Sequence, residues 1–427
     1  MKAFVVLIAL AVASGAAGQE IALGTLHDAA RAADPRLRQL ELEREASELR
    51  LLNIASERRP ALTVEGQTQY QSDVVQFPFA APGGAAPPTP PKDTYDAYIR
   101  LEQSILDPAL RARVANERAR LAEAQARLDT SLYGLRVEVN EAFFAAIALQ
   151  EREAQIETAI TDLEARLKEA RARVAEGVAL PSETATVEAT VLARRQDALT
   201  VRAQRRGALE RLSALTGRAL SIDARLELPN LGAEVANIRA RTDELRARPE
   251  YEQFARARER LETQKDIVRS QEEPRVSAYG RAGVGKPGLN FLSDELDAYF
   301  LGGIRVQWRP WNWGTNDRER RILELQQQSI DADEAAFSRT LNRSIQNDLA
   351  AIDGLEEVLA LDDRIVALRE LIERETRARY AERVVTAADL VDKSTDVLEA
   401  RVARAAHRVD LVAARARLLT ILGQETR

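Results

Sequence analysis

Ala33-Asp-Pro35-Arg-Leu37 returns 214 residues later as Ala247-Arg-Pro249-Glu-Tyr251. Each copy opens a helical pattern that a second proline, Pro60 or Pro274, closes 25 residues after the first. Asp96-Ala97-Tyr98 recurs as Asp297-Ala298-Tyr299 at an offset of 201. Val174-Ala-Glu176 matches Tyr380-Ala-Glu382, and Arg211-Leu212 to Gly217 matches Arg417-Leu418 to Gly423, both at 206. Offsets that change only where loops belong mark a duplicated unit rather than a chance echo. Each half reads helix, proline, strand, loop, strand, very long helix, turn, helix and a Leu-rich end with glycine.

Working outward, the segments after Pro60 and Pro274 alternate with period two. Leu62, Val64, Gly66, Thr68 and Tyr70 oppose Thr63, Glu65, Gln67, Gln69 and Gln71; Tyr95, Ala97, Ile99, Leu101 and Ile105 oppose Asp96, Arg100, Glu102 and Ser104. The second half sets Val276, Ala278, Ala282 and Val284 against Arg275, Ser277 and Arg281, then Ala298, Phe300, Ile304, Val306 and Trp308 against Asp297, Arg305 and Gln307. Strands of about ten residues, apolar on one side and polar on the other, carry the pattern of a transmembrane barrel with a wet lumen; a half-buried soluble sheet alternates likewise, and the export signal and the tryptophan placement favour the barrel. All three tryptophans, Trp308, Trp311 and Trp313, cluster at the end of the last strand, where an interfacial girdle belongs. Phe77 to Pro91 holds six prolines and two glycines and reads as a loop.

The rest reads as helix. From Ala109 to Glu176 no proline occurs and only Gly134 intervenes, so this one helix is a rod of roughly 100 Å. Leu128, Leu132, Leu135, Val139 and Phe143, then Ile156, Ile160, Leu163, Leu167 and Val174, step by threes and fours along a coiled-coil seam. Leu361, Ile365, Leu368 and Ile372 form the matching seam in the second half. Gly177 to Pro181 breaks the first hairpin, with Ser182 expected as the N-cap of the returning helix.

These patterns divide the chain into a secretory signal (1–18), a first repeat (19–217), a connector (218–235) and a second repeat (236–427). The first repeat carries strands at 61–71 and 93–106 and a helical hairpin at 109–216. The second carries strands at 275–285 and 296–308 and a hairpin at 317–422. The signal rests on Lys2, the apolar run Phe4 to Val12 and small residues around Ala17 and Gly18. Four strands cannot close a barrel, but three chains supply twelve.

Composition excludes much chemistry. The 427 residues contain no cysteine and two histidines, so thiol catalysis, cysteine metal sites and histidine-rich centres are ruled out. A net charge of −6 offers no basic field for nucleic acid. His27 has no ligand partner at i+3 or i+4, His407 has only Asp410 at i+3, and both histidines are expected at the surface. Glu164–Lys168 and Glu373–Arg377 read as solvated i,i+4 pairs. No catalytic centre, cofactor or metal site is expected.

In order and spacing, the proline landmarks and the two turns Val174-Ala-Glu-Gly177-Val-Ala-Leu-Pro-Ser-Glu183 and Tyr380-Ala-Glu-Arg383-Val-Val-Thr-Ala-Ala-Asp389 resemble the TolC-type outer-membrane efflux proteins. The resemblance spans nearly the whole chain after the signal. It implies a mainly α fold with transmembrane β structure: a homotrimeric, twelve-stranded barrel continued by a helical tunnel through the periplasm of a Gram-negative cell. Such a duct passively conducts substrates received from an inner-membrane pump through a periplasmic adaptor, in efflux or in type I secretion. Rival readings are a periplasmic adaptor, which needs one hairpin between split β-domains, and a structural coiled-coil envelope protein.

The resemblance also implies site residues. Gly177, Val178 and Pro181 of the first turn and Arg383, Val384 and Thr386 of the second are the expected adaptor-docking tips. Arg383 departs from the family, which usually carries glycine there, and Val385 stands where a basic residue is common. Asp389 and Asp392 lie one helical turn apart near a helix start. Three chains around an axis would place six carboxylates at one level, a cation-selective constriction. The alternative is that these aspartates serve the helix dipole.

Overall fold

The computed structural model describes residues 21–76, 89–239 and 247–424; the expected signal and most of the proline-rich loop lie outside them. Among the described residues the chain order is α1 (Leu23–Ala33), α2 (Arg36–Ser56), β1 (Ala61–Tyr70), β2 (Asp93–Leu106), α3 (Ala109–Ala175) and α4 (Pro181–Thr216). There follow α5 (Gly232–Arg239), α6 (Pro249–Ser270), β3 (Arg275–Lys286), β4 (Asp297–Gln307), α7 (Thr315–Ala381) and α8 (Ala387–Ile421). No described helix is long and apolar enough to cross a membrane.

Local chemistry explains the boundaries. Pro35 excludes Asp34 from helical backbone, so α1 ends at Ala33 and Asp34 turns extended, at ψ 124°. Its carboxylate then accepts the Arg36 backbone N–H at 2.8 Å and starts α2. The helix after the first turn begins at Pro181 behind the N-cap Leu180, not behind Ser182. Proline suits that first helical position because its missing N–H would have no partner there. Gly134 does not interrupt α3: a β-carbon there would meet nothing within 4 Å, so the glycine costs only propensity, about 1 kcal/mol.

Two compact units divide the chain across its repeats. One comprises Met1–Leu37, Asp129–Pro249 and Ala336–Arg427. Its main core packs Leu26, Phe143, Ile147, Leu212, Ile352 and Leu418. A parallel bridge between Ile21 and Leu226 ties its beginning to the connector. His27 is inside this core rather than on the surface: its Nε2 donates to Asn140 Oδ1 at 2.8 Å, and Asn140 donates to Thr420 Oγ1 at 2.9 Å. A buried imidazole is tolerated because its polar atom has a partner.

The other unit comprises Arg38–Leu128 and Glu250–Ala335. Its four strands form one antiparallel sheet in the order β1-β2-β3-β4. Its helical part is held by polar contacts as much as by Leu110, Leu261 and Leu323. Buried Glu117 accepts from Arg50 at 3.2 Å, buried Glu123 pairs with Arg260, and Asn116 donates to Thr263 at 3.0 Å.

The two expected seams fare differently. Leu132, Val139, Phe143, Ile160, Leu163 and Leu167 of α3 are buried, whereas Leu361, Ile365, Leu368 and Ile372 of α7 stay exposed. α7 instead buries Ile345, Ile352 and Val366.

Candidate functional site

The sheet separates two chemistries. Register places Leu62 beside Leu101, Val64 beside Ile99, Ala282 beside Phe300 and Ala278 beside Ile304. These apolar rows share one face, on which Leu62, Val64, Ile99, Phe300 and Ile304 are all exposed. The opposite face carries Glu65, Tyr98, Gly283 and Tyr299 in one row across all four strands. Tyr98 donates to Glu65, Arg100 pairs with Glu65 at 3.1 Å, and Arg281 sits 3.9 Å above the Tyr98 ring while donating to Asp96 at 2.9 Å. Gly283 makes room for that tyrosine, since a β-carbon there would come 2.5 Å from Tyr98 Cβ. The outer strands β1 and β4 each pair on one side alone among the described strands.

The hairpin turns belong to the unit that does not hold the sheet. Gly177 and Arg383 both take left-handed backbone, at φ 71° and 65°. In each turn the residue after them bonds back five positions: Val178 N to Arg173 O at 3.0 Å and Val384 N to Arg379 O at 2.9 Å. These are equivalent helix-ending motifs that favour glycine. Arg383 therefore adopts a strained conformation that its repeat partner adopts freely. Val178, Arg383, Val384 and Thr386 are exposed, and Pro181 starts α4.

Behind the turns, the Tyr380 hydroxyl donates to Glu183 Oε2 at 3.0 Å and the Arg173 guanidinium stacks 4.7 Å from the Tyr380 ring. Burial, with the Glu183 bond second, holds the Tyr380 hydroxyl above its ordinary pKa. Leu163, Leu167, Val187, Val191, Ala387 and Val391 close an apolar cluster next to a cavity of about 330 Å³.

Asp389 and Asp392 are both exposed, and their surroundings differ. Asp389 completes a capping box with Thr386: its Oδ2 accepts the Thr386 backbone N–H at 2.9 Å, and Thr386 Oγ1 accepts the Asp389 N–H at 3.2 Å. The Thr386 hydroxyl bond, then the backbone one, lowers the Asp389 pKa below the usual carboxylate value. Asp392 takes no part in that cap.

Glu373, expected as a solvated partner of Arg377, is buried and also accepts from Arg166 of α3 at 2.5 Å, while Arg166 reaches Ser394 of α8. Glu164 pairs with Arg195 of α4 at 2.6 Å rather than with Lys168. His407 donates from Nδ1 to buried Asp362 at 2.6 Å. Sequence spacing carries no signal for such contacts, because the partners sit on different helices, 207 residues apart for Arg166 and Glu373.

β4 ends at Gln307, one residue before the expected 308, so Trp308 follows the strand, as Trp311 and Trp313 do. All three are exposed.

Comparison with known proteins agrees with this architecture. Residues 26–218 match the model of the outer membrane efflux protein family. No curated protein matches the sequence significantly. Among solved structures, the chain is similar to CusC, at 15% identity and a TM-score of 0.67 over 96% of this chain and 93% of that one. It is also similar to the outer membrane protein VceC of Vibrio cholerae (15%, TM-score 0.65, 95% and 97% covered). The open-state MtrE outer membrane channel of Neisseria gonorrhoeae matches at 19% with a TM-score of 0.65, over 94% and 89%. The fold expected from the repeats is thus the fold of outer-membrane channels along nearly the whole chain. Over residues 26–218 this chain is similar to the outer membrane efflux protein family, and over nearly its whole length it has the fold of outer-membrane channels.

Proposed function

We propose that this protein is the outer-membrane exit duct of a tripartite export system. Three copies close a twelve-stranded barrel, and their helical hairpins receive substrates from a periplasmic adaptor and an inner-membrane pump. One observation carries the reading. A four-stranded sheet exposes apolar side chains on one face, presents a charged and tyrosine-rich network on the other, and leaves both edge strands half paired. In water the apolar face would be an aggregation hazard and the free edges would recruit strands. In a bilayer the same face meets lipid, and edge pairing between copies satisfies every backbone group.

The exposed α7 seam supports assembly in the same way. Leu361, Ile365, Leu368 and Ile372 offer a heptad stripe that a helix of a neighbouring copy would cover. Gly177, Val178, Pro181, Arg383, Val384 and Thr386 then form the adaptor-docking tips. Asp392, with Asp389 beside it, lines a constriction where carboxylates around a three-fold axis favour cations.

Membrane fractionation tests the reading. Protein extracted from outer membranes in mild detergent should run as a trimer and form pores in planar bilayers. Recovery as a soluble periplasmic monomer would favour an adaptor-like or purely structural coiled coil and sink the duct.

A further inference from the structure

β3 begins and β4 ends beside the start of α7, and the three meet around a polar cavity. Arg275 pairs in register with Gln307, on the sheet face that also carries Gly283 and Tyr299. With Arg309, Asn312 and Asn316 these two residues line a space of about 320 Å³. All of them belong to the unit that holds the sheet.

Several donors of this cavity are unspent. Asn316 is only 5% exposed, yet its side-chain amide has no hydrogen-bond partner among the described residues. A buried amide without a partner is a cost that folded chains ordinarily avoid. The Arg309 guanidinium makes no ion pair among the described residues either, and Arg275 keeps only a pair with Asp107 at 3.6 Å. Asn316 also lies in the first turn of a 67-residue helix. The Thr315 N–H donates to the Asn312 carbonyl and the Arg318 N–H to that of Gly314, but the backbone N–H groups of Asn316 and Asp317 reach no acceptor among the described residues. Such a helix start favours an anion. The Asp317 carboxylate does not fill that role, because it accepts from Arg320 instead. One acid, Glu273, shares the lining with the two guanidinium groups, so the charge balance stays positive.

We propose that this cavity binds an oxyanion of the phosphate class, as free phosphate or as the phosphate group of a larger solute. Arg275 and Arg309 meet its charge, while the Asn316 amide and the start of α7 supply directed N–H donors. Glu273 limits the affinity by repelling the same charge. Arg275 and Gln307 stand on the polar face of the sheet, opposite the exposed apolar rows of Phe300 and Ile304, so the occupant is a dissolved anion rather than a membrane lipid. That the site lies on the wall of a conduit rests on the duct reading above; its chemistry does not.

Calorimetry on the full chain in uncharged maltoside micelles tests the site, with sodium phosphate titrated into chloride buffer of matched ionic strength. Phosphate should bind saturably, and Arg309→Gln, a change at an exposed position outside the strands, should weaken it at least about tenfold. Asn316→Leu should weaken it as well, and Glu273→Gln should tighten it. Absence of saturable binding, or an Arg309→Gln protein that binds phosphate like wild type, overturns the proposal. A second arm titrates phosphatidylglycerol: lipid binding that Arg309→Gln abolishes, with free phosphate unbound, overturns it in favour of a lipid site. Pore formation is measured on the same preparation. Pores without phosphate binding remove the site and leave the duct standing, whereas phosphate binding without pores upholds the site and removes the duct.

Discussion

Gly217 lies so close to Ala33 that a β-carbon on the glycine would sit 2.8 Å from Ala33 Cβ. The second repeat reproduces the relationship, with a β-carbon at Gly423 falling 2.6 Å from the Ala247 carbonyl carbon and 2.7 Å from its oxygen. The glycine that ends each repeat thus packs on the alanine that opens it, in left-handed backbone at φ 63° and 81°.

Both glycines should resist substitution, to different degrees. Gly217→Ala meets left-handed strain and a methyl group, for about 2 kcal/mol. Gly423→Ala meets the same strain and a backbone carbonyl that cannot rotate away. Thermal melts should show the larger drop for Gly423→Ala, and equal drops would argue against the close backbone approach.

The Arg166–Glu373 pair should be costly to break from one side. Removing Glu373 leaves a mostly buried guanidinium without its counter-charge, a loss of about 3–5 kcal/mol. An Arg166→Met/Glu373→Leu protein should recover most of that stability in denaturant titrations. A Glu373→Ala protein as stable as wild type would place the pair in solvent.

Arg383 should trade stability against docking. Arg383→Gly relieves left-handed strain and should raise stability by about 1 kcal/mol, net of the flexibility that glycine adds to the unfolded chain. The same change should weaken cross-linking to the periplasmic adaptor. Lower stability in the variant would mean the guanidinium holds the turn from within, and unchanged cross-linking would move the docking surface.

Asp389 and Asp392 should separate experimentally. Asp389→Ala removes the reciprocal capping bonds and should lower the melting temperature; combined with Thr386→Ala, the loss should be less than additive, because both changes delete the same bonds. Asp392→Ala should leave melting unchanged and reduce cation selectivity in planar bilayers. Selectivity that survives both changes would put the constriction elsewhere.

Acid should weaken the folded state through Asp34 and Asp389. Hydrogen bonds from the Arg36 side chain, chiefly, lower the Asp34 pKa, and those of Thr386 lower that of Asp389. A carboxylate with a depressed folded pKa contributes stability that is complete above its unfolded value, 3.8, and fades as pH falls toward the folded one. Melts from pH 6 downward should therefore start to fall near pH 4, and Asp34→Asn should flatten that fall.

Much of this protein was determined by local order along the chain. The duplicated prolines, the period-two strands and the proline-free helical runs set the elements to within a few residues, because proline, alternation and heptad spacing act over short distances. The turns Gly177 and Arg383 were legible for the same reason, as were Asp389 and Asp392 as a pair. The tertiary structure alone decided what those residues do. It seated His27 in a core, gave Asp389 to a helix cap, buried Glu373 against Arg166, left the α7 seam bare and ended β4 one residue before Trp308. Burial, desolvation and hydrogen-bond partnership belong to the space between elements, where residues two hundred positions apart become neighbours, and periodicity along one element cannot encode which neighbour arrives.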